Sequence, residues 1–110
     1  MNNILDDVNE LKDLIISSKE YTDYINSMKK VDSNEEIKKI IKDIIKLQKQ
    51  EVNLNNKNIY NDLDIEINNL YDRLNSIPEY TDYINSSRRL NILITSIQEK
   101  FKEFFDSLVC

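Results

Sequence analysis

The sequence predicts an all-α fold, a small helical bundle with a long antiparallel C-terminal helical hairpin. Three observations lead there. The 110-residue chain contains no Gly and a single Pro, Pro78; sheet proteins reverse direction with Gly, Pro and Asn-Gly turns, so a β fold would lack its turn chemistry. Apolar residues recur at steps of three and four along most of the chain. Polar capping residues stand just before these runs, where helix N-termini belong. Asn is plentiful and is expected to replace Gly at left-handed helix caps. The surplus of Ile, Asn and Lys fits an AT-rich genome and bears on no function.

The first helix carries Ile4, Leu5, Val8, Leu11 and Ile15 on one face. Asp6, Asp7 and Glu10 near its start suit the positive end of the helix dipole. A second helix begins at Ser17-Ser18-Lys19-Glu20, with Ser17 as cap and Glu20 reaching back in a capping box. Its apolar face is Tyr21, Tyr24, Ile25 and Met28, and Asp32-Ser33 ends it. The third opens at Ser33 with Glu36 as box partner. Ile37, Ile40, Ile41, Ile44, Ile45 and Leu47 share one half of its wheel, and Lys38, Lys39, Lys42, Lys46 and Lys49 the other. Gln48 and Glu51 fall inside the apolar half, so either the helix ends near them or its core holds a polar spot. Residues 53–58, rich in Asn, read as a loop.

Helix four follows Tyr60, Leu63, Ile67, Leu70, Leu74 and Ile77 at heptad spacing. Helix five follows Tyr83, Ser87, Leu90, Ile94, Ile97, Phe101, Phe104 and Leu108, with Leu93 and Phe105 broadening the seam. From Glu79 to Leu108 it would run about 45 Å. A helix of that length needs another long helix beside it, in this chain or in a second copy. The expected solution is a hairpin of helices four and five, hinged at Ser76-Ile77-Pro78-Glu79.

One motif occurs twice. Residues 17–27 and 76–86 agree at every position except the second and third, giving Glu-Tyr-Thr-Asp-Tyr-Ile-Asn-Ser in both. Each copy supplies a Ser cap, a Glu partner and two tyrosines three residues apart, and Pro78 in the second copy suits a first helical turn. The match does not continue, with Ile37 corresponding to Ser96 and Ile40 to Glu99, so this is not an extended repeat array of the solenoid kind. The plainer reading is two well-made helix starts packing Tyr into a core. The functional one presents Tyr21, Tyr24, Tyr80 and Tyr83 to partners, since Tyr is enriched among interface anchors.

The net charge of −5 disfavours direct nucleic-acid binding by repulsion from phosphates. No apolar run nears the roughly 20 residues of a membrane span, and the start has no basic region leading into an apolar stretch. One cysteine makes no internal disulfide. The expectation is a single domain, 1–110, in the cytoplasm.

Without His or Gly there is no Ser-His-Asp set, no Cys-His pair, no His-containing zinc site and no glycine-rich phosphate loop. Acidic groups at Asp6-Asp7, Glu35-Glu36 and Asp62/Asp64/Glu66 lack the Glu-x-x-His pattern of di-iron bundles and read as solvated faces. No catalytic or metal-binding residue is assigned. The lysine stripe of helix three, with Arg88-Arg89 as a smaller basic point, is the wet side of an amphipathic helix or, as a lesser alternative, the docking face of an RNA-binding adaptor. The seam Tyr83, Leu90, Ile94, Ile97, Phe101, Phe104 and Leu108 is the candidate surface for self-association. Cys110 is either an inert terminal thiol or one ligand of a metal centre shared between chains, because an iron–sulfur cluster usually takes four.

The stretch Leu47-Gln48-Lys49-Gln50-Glu51-Val52-Asn53-Leu54, then Leu70 to Leu74, Ile77-Pro78 and Ser86 to Leu93, resembles the YlbF/YmcA family, and its YmcA branch most closely. Ser17-x-x-Glu20-Tyr21…Tyr24 followed by an Asp-opened helix fits the same pattern. The resemblance covers nearly the whole chain and rests on packing positions. It implies a non-enzymatic regulatory subunit that joins YlbF-like and YaaT-like proteins. It also implies a link to competence, sporulation and biofilm control and, indirectly, to RNase Y and transcript maturation. Iron–sulfur clusters accompany that complex, which makes Cys110 the candidate ligand of a cluster shared with partner chains, with no cofactor held alone. Two features depart from the pattern. The chain stops soon after helix five, where YmcA-type members run on to their cysteine, and Glu51 stands where a small apolar residue suits the family. The YheA-like group has a similar length and pattern and implies the alternative of a stand-alone, self-associating protein.

Overall fold

The computed structural model describes residues 3–53 and 57–109, and Cys110 lies outside them. Five helices follow in order: α1 (Ile4–Ile16), α2 (Lys19–Asp32), α3 (Glu35–Val52), α4 (Lys57–Asn75) and α5 (Pro78–Val109). No strand occurs among the described residues. The all-α class read from the sequence is that of the structure, and the helices that pack closely as a pair are α3 and α4.

The helix starts follow the capping rules, with shifts of register. At α1 the Asp6 N–H donates to Asn3 Oδ1 at 2.9 Å and the Asn3 N–H to Asp6 Oδ2 at 3.2 Å, a reciprocal capping box. At α2 the cap is Ser18, whose Oγ accepts from the Tyr21 N–H at 3.2 Å. Ser17, the expected cap, instead closes α1, its hydroxyl donating to the Leu14 carbonyl. At α3 the cap is Asn34, accepting from the Ile37 N–H at 3.0 Å, in place of Ser33. At α5 Pro78 occupies the first helical position, as expected, while Ser76 donates to the Arg73 carbonyl at 2.6 Å and closes α4. In each case the serine lies one residue too early to reach the next helix and satisfies an orphan carbonyl of the previous one.

The helix ends depart from expectation in a consistent way. No described residue has a positive φ, so no described Asn acts as a left-handed cap, and Asn55 and Asn56 lie outside the described residues. Ser17, Ser18, Ser33 and Ser76 turn their hydroxyls back to carbonyls three residues earlier, and the Asn53 side-chain amide donates to the Lys49 carbonyl, four residues earlier, at 3.2 Å. Hydroxyl-to-carbonyl bonds thus take over part of the work of the glycine C-cap. The expected loop over 53–58 is shorter than read, since α4 already begins at Lys57; residues 54–56 lie outside the described ones. Nor does α3 stop at Gln48, running on to Val52.

The chain divides into two compact units, Ser27–Tyr83 and a second made of Met1–Asn26 with Ile84–Cys110. In the Ser27–Tyr83 unit α3 and α4 pack as an antiparallel pair. Its core is Val31, Ile37, Ile40, Ile44, Ile67 and Leu74, with Ile41, Leu47, Leu70, Ile77, Tyr80 and Tyr83 packed against it. Ile37 and Leu74 are at most 1% exposed, and each such side chain contributes on the order of 1.5–3 kcal/mol. The hinge expected between α4 and α5 is present at Ser76-Ile77. In the other unit α1 has no buried residue.

Candidate interaction surface

The polar spot in the apolar half of α3 has two parts. Gln48 Nε2 donates to the Tyr71 hydroxyl of α4 at 3.3 Å, so its amide finds a partner on the facing helix. Glu51 is half-buried, and its Oε1 is buried without a hydrogen-bond partner. Above the core, Arg73 and Glu36 approach at 4.0 Å across α4 and α3, both well exposed, a pair that contributes little in water.

The two tyrosine pairs are half-buried. Tyr80 and Tyr83 pack against the core of the Ser27–Tyr83 unit, and Tyr21 and Tyr24 are half-buried on α2. Burial, and then the charge of Tyr71, raise the Tyr80 phenol above its ordinary pKa of 10.0. The repeated motif closes on a buried serine in both copies, Ser27 and Ser86. Sequence reasoning passed over these two, although their equivalent places in the repeat were the available signal.

The α5 seam changes character along its length. Leu90 and Ile97 are half-buried, whereas Ile94, Phe101, Phe104 and Leu108 are exposed. Toward its end the phenylalanines gather: Phe101 and Phe105 stack with ring centroids 5.9 Å apart, and Phe104 meets Phe105 at 5.7 Å, tilted by 58°. An open groove of about 480 Å³ runs here between α1 and α5, lined by Val8, Leu11, Gln98, Phe101, Lys102 and Phe105. The contribution of α1 to this surface was not assigned from sequence, because an apolar stripe reads the same whether it faces its own core or a partner.

Lys38, Lys39, Lys42, Lys46 and Lys49 are all exposed on α3, as are Arg88 and Arg89 on α5. The acidic groups at Asp6-Asp7, Glu35-Glu36 and Asp62/Asp64/Glu66 are exposed as well, and Lys38 approaches Glu35 at 3.9 Å. Among the described residues no three His, Cys, Asp or Glu side chains converge as a metal site. No helix among them is long and apolar enough to cross a membrane.

No curated protein matches the chain in sequence. Among solved structures, the crystal structure of Bacillus subtilis RicA in complex with RicF has the same fold. The TM-score is 0.80 at 16% identity, over 97% of this chain and 96% of that one. The family model described as control of competence regulator ComK, YlbF/YmcA, matches residues 4–103. Nearly the whole chain is covered by that match, from α1 into the exposed end of α5: this protein belongs to the YlbF/YmcA family.

Proposed function

We propose that this protein is a non-catalytic regulatory subunit that works by binding other proteins, among them a second chain of the YlbF/YmcA type. One observation carries the reading: the apolar surface left uncovered along α1 and the end of α5. Soluble chains rarely expose large contiguous apolar patches without a partner for them. RicA, which shares the fold, was crystallised in complex with RicF, and family membership supports the same mode of action here. The finer role is that of a YmcA-type subunit working with YlbF-like and YaaT-like proteins in the cytoplasm. Through them it influences RNase Y-dependent mRNA processing and the control of competence, sporulation and biofilm formation. The absence of His and Gly from the chain and the dispersed, solvated acids support a role without catalysis.

The chain on its own does not fit an iron–sulfur cluster. Cys110 is its one cysteine and there is no His, whereas a cluster usually takes four ligands. Cys110 can supply one thiolate at most, and partner chains would supply the others.

Anaerobic affinity purification of the full chain from its native host, read by mass spectrometry, tests the proposal. Recovery of YlbF-type and YaaT-type proteins is expected. Recovery of the bait alone, under conditions that keep labile complexes together, would refute it.

A further inference from the structure

We infer that the groove between the end of α2 and the middle of α3 docks an acidic amphipathic helix of another protein. The site belongs wholly to the Ser27–Tyr83 unit and uses neither α1 nor α5. It adds a second surface to the one on which the proposed function rests.

The first observation is an apolar stripe that the core leaves unused. Ile37, Ile40 and Ile44 are the buried residues of α3. Ile45 stands about 100° further round the helix and is 46% exposed. With half-buried Ile41 and buried Val31 it floors an open groove of about 300 Å³, rimmed by Asp32, Lys38 and Lys42. Val52, also exposed, continues the stripe toward the end of α3. A helix built only to cover its own core has no use for isoleucine on this side.

The second is charge. Within about 60° of Lys38 on the wheel, α3 carries Lys38, Lys42 and Lys49, with Glu35 as the one acid. The α2 side adds Asp32. Lys38 approaches Glu35 at 3.9 Å in the open, a contact worth little in water. Among the described residues no acid pairs with Lys42 or Lys49. Residues 29–50 together hold seven lysines against Asp32, Glu35, Glu36 and Asp43, a net +3 in a chain of net −5. Glu36 and Asp43 lie on the opposite flank, about 140–160° from Lys38, and Glu36 approaches Arg73 of α4.

An apolar floor with lysines at its rim is matched by an apolar stripe with acids on its flanks. From Lys38 to Lys49 the stripe runs about 17 Å, the length of a three-turn helix. Lysine stems lie along apolar surface while their ammonium groups stay in water, which suits a rim. RNA fits less well: α3 contains no aromatic residue on which a base could stack, and Ile45 gains nothing from phosphates. A second copy could offer only its own acidic helix, α1. That contact is heterologous, leaving a free groove at one end and a free α1 at the other unless a ring closes.

Fluorescence anisotropy with the purified full chain tests the proposal. The probe is a labelled, hydrocarbon-stapled three-turn peptide with leucines on one stripe and glutamates on both flanks. A stapled scramble of the same composition and a labelled oligouridine are the comparisons, all at about 0.15 M salt. Saturable binding of the patterned peptide is expected, about tenfold or more tighter than either comparison. Lys42→Glu/Lys49→Glu and, separately, Ile45→Asp should each weaken it by about tenfold with helical circular dichroism retained. Lys12→Glu/Lys19→Glu makes the same change of net charge at exposed positions outside the groove and should leave binding unchanged. If either groove variant loses its helical signal, Lys42→Gln/Lys49→Gln or Ile45→Ser takes its place, with weaker binding again expected. No saturation by about 1 mM peptide, equal binding of the scramble, tighter binding of oligouridine, or groove variants that bind as the wild type does would overturn the proposal. So would an equal loss in Lys12→Glu/Lys19→Glu, or a light-scattering mass of the chain alone that falls with Lys42→Glu/Lys49→Glu, the mark of a second copy in the groove. The probe stands in for any cellular partner, so such a failure leaves the recovery of YlbF-type proteins from cells as a separate question.

Discussion

Gln48 of α3 donates its amide hydrogen to the Tyr71 hydroxyl of α4 at 3.3 Å. Gln48 is exposed although it falls in the apolar half of the wheel, and the helix continues past it to Val52. Both partners lie near the surface, so water can replace either. Tyr71→Phe is therefore expected to cost only about 0.5–1 kcal/mol, measured by urea unfolding with an unchanged denaturant slope.

Ile40 offers the contrast. It is 2% exposed in the core of the Ser27–Tyr83 unit, and Ile40→Ala should destabilise by about 2–5 kcal/mol through lost burial and a residual cavity. Ile45 lies on the same helix but is exposed, so Ile45→Ala should cost well under half as much. Equal losses in thermal unfolding would contradict the assignment of the core.

The cap of α2 can be tested one residue at a time. Ser18 accepts from the Tyr21 N–H, and Ser18→Ala removes an N-cap, a loss of about 1 kcal/mol. Ser17 only donates to a carbonyl of α1, so Ser17→Ala is expected to cost less. The reverse order in chemical unfolding would restore the cap to Ser17.

Alkaline pH should weaken the fold in a way traceable to Tyr80. Burial, with the Tyr71 charge second, raises its folded pKa above 10.0, so the unfolded chain gives up this proton first. The stability it contributes is present below pH 10.0 and is lost as pH rises through the folded pKa. Tyr80→Phe should flatten the fall in melting temperature on the alkaline side. An unchanged alkaline limb would show that other groups set it.

Periodicity made the helices legible, because a buried face must recur every 3.6 residues. Ile37, Ile40 and Ile44, read as one face of α3, are its buried residues. Ile67 and Leu74, both on the stripe read for α4, are the buried ones there. Cap positions were less legible. In Ser17-Ser18 and Ser33-Asn34 two adjacent residues can both accept a backbone hydrogen bond, and only the three-dimensional path of the chain chooses between them. The partner of Gln48 was hidden for another reason, since Tyr71 is 23 residues away and the contact exists only once α3 and α4 pack. Ile4, Val8 and Phe104 show the limit for the surface: their spacing marks an apolar face but not who covers it.

The absence of positive φ at any described position reaches beyond local geometry. Glycine, alanine and proline are written with codons rich in G and C, while asparagine has codons rich in A and T and serine can be written with either kind. A fold whose corners required left-handed torsions would resist codon drift toward A and T at each of those corners. The described corners of this one turn without left-handed torsions and with serine hydroxyls on freed carbonyls, so its architecture is compatible with a chain that contains no glycine.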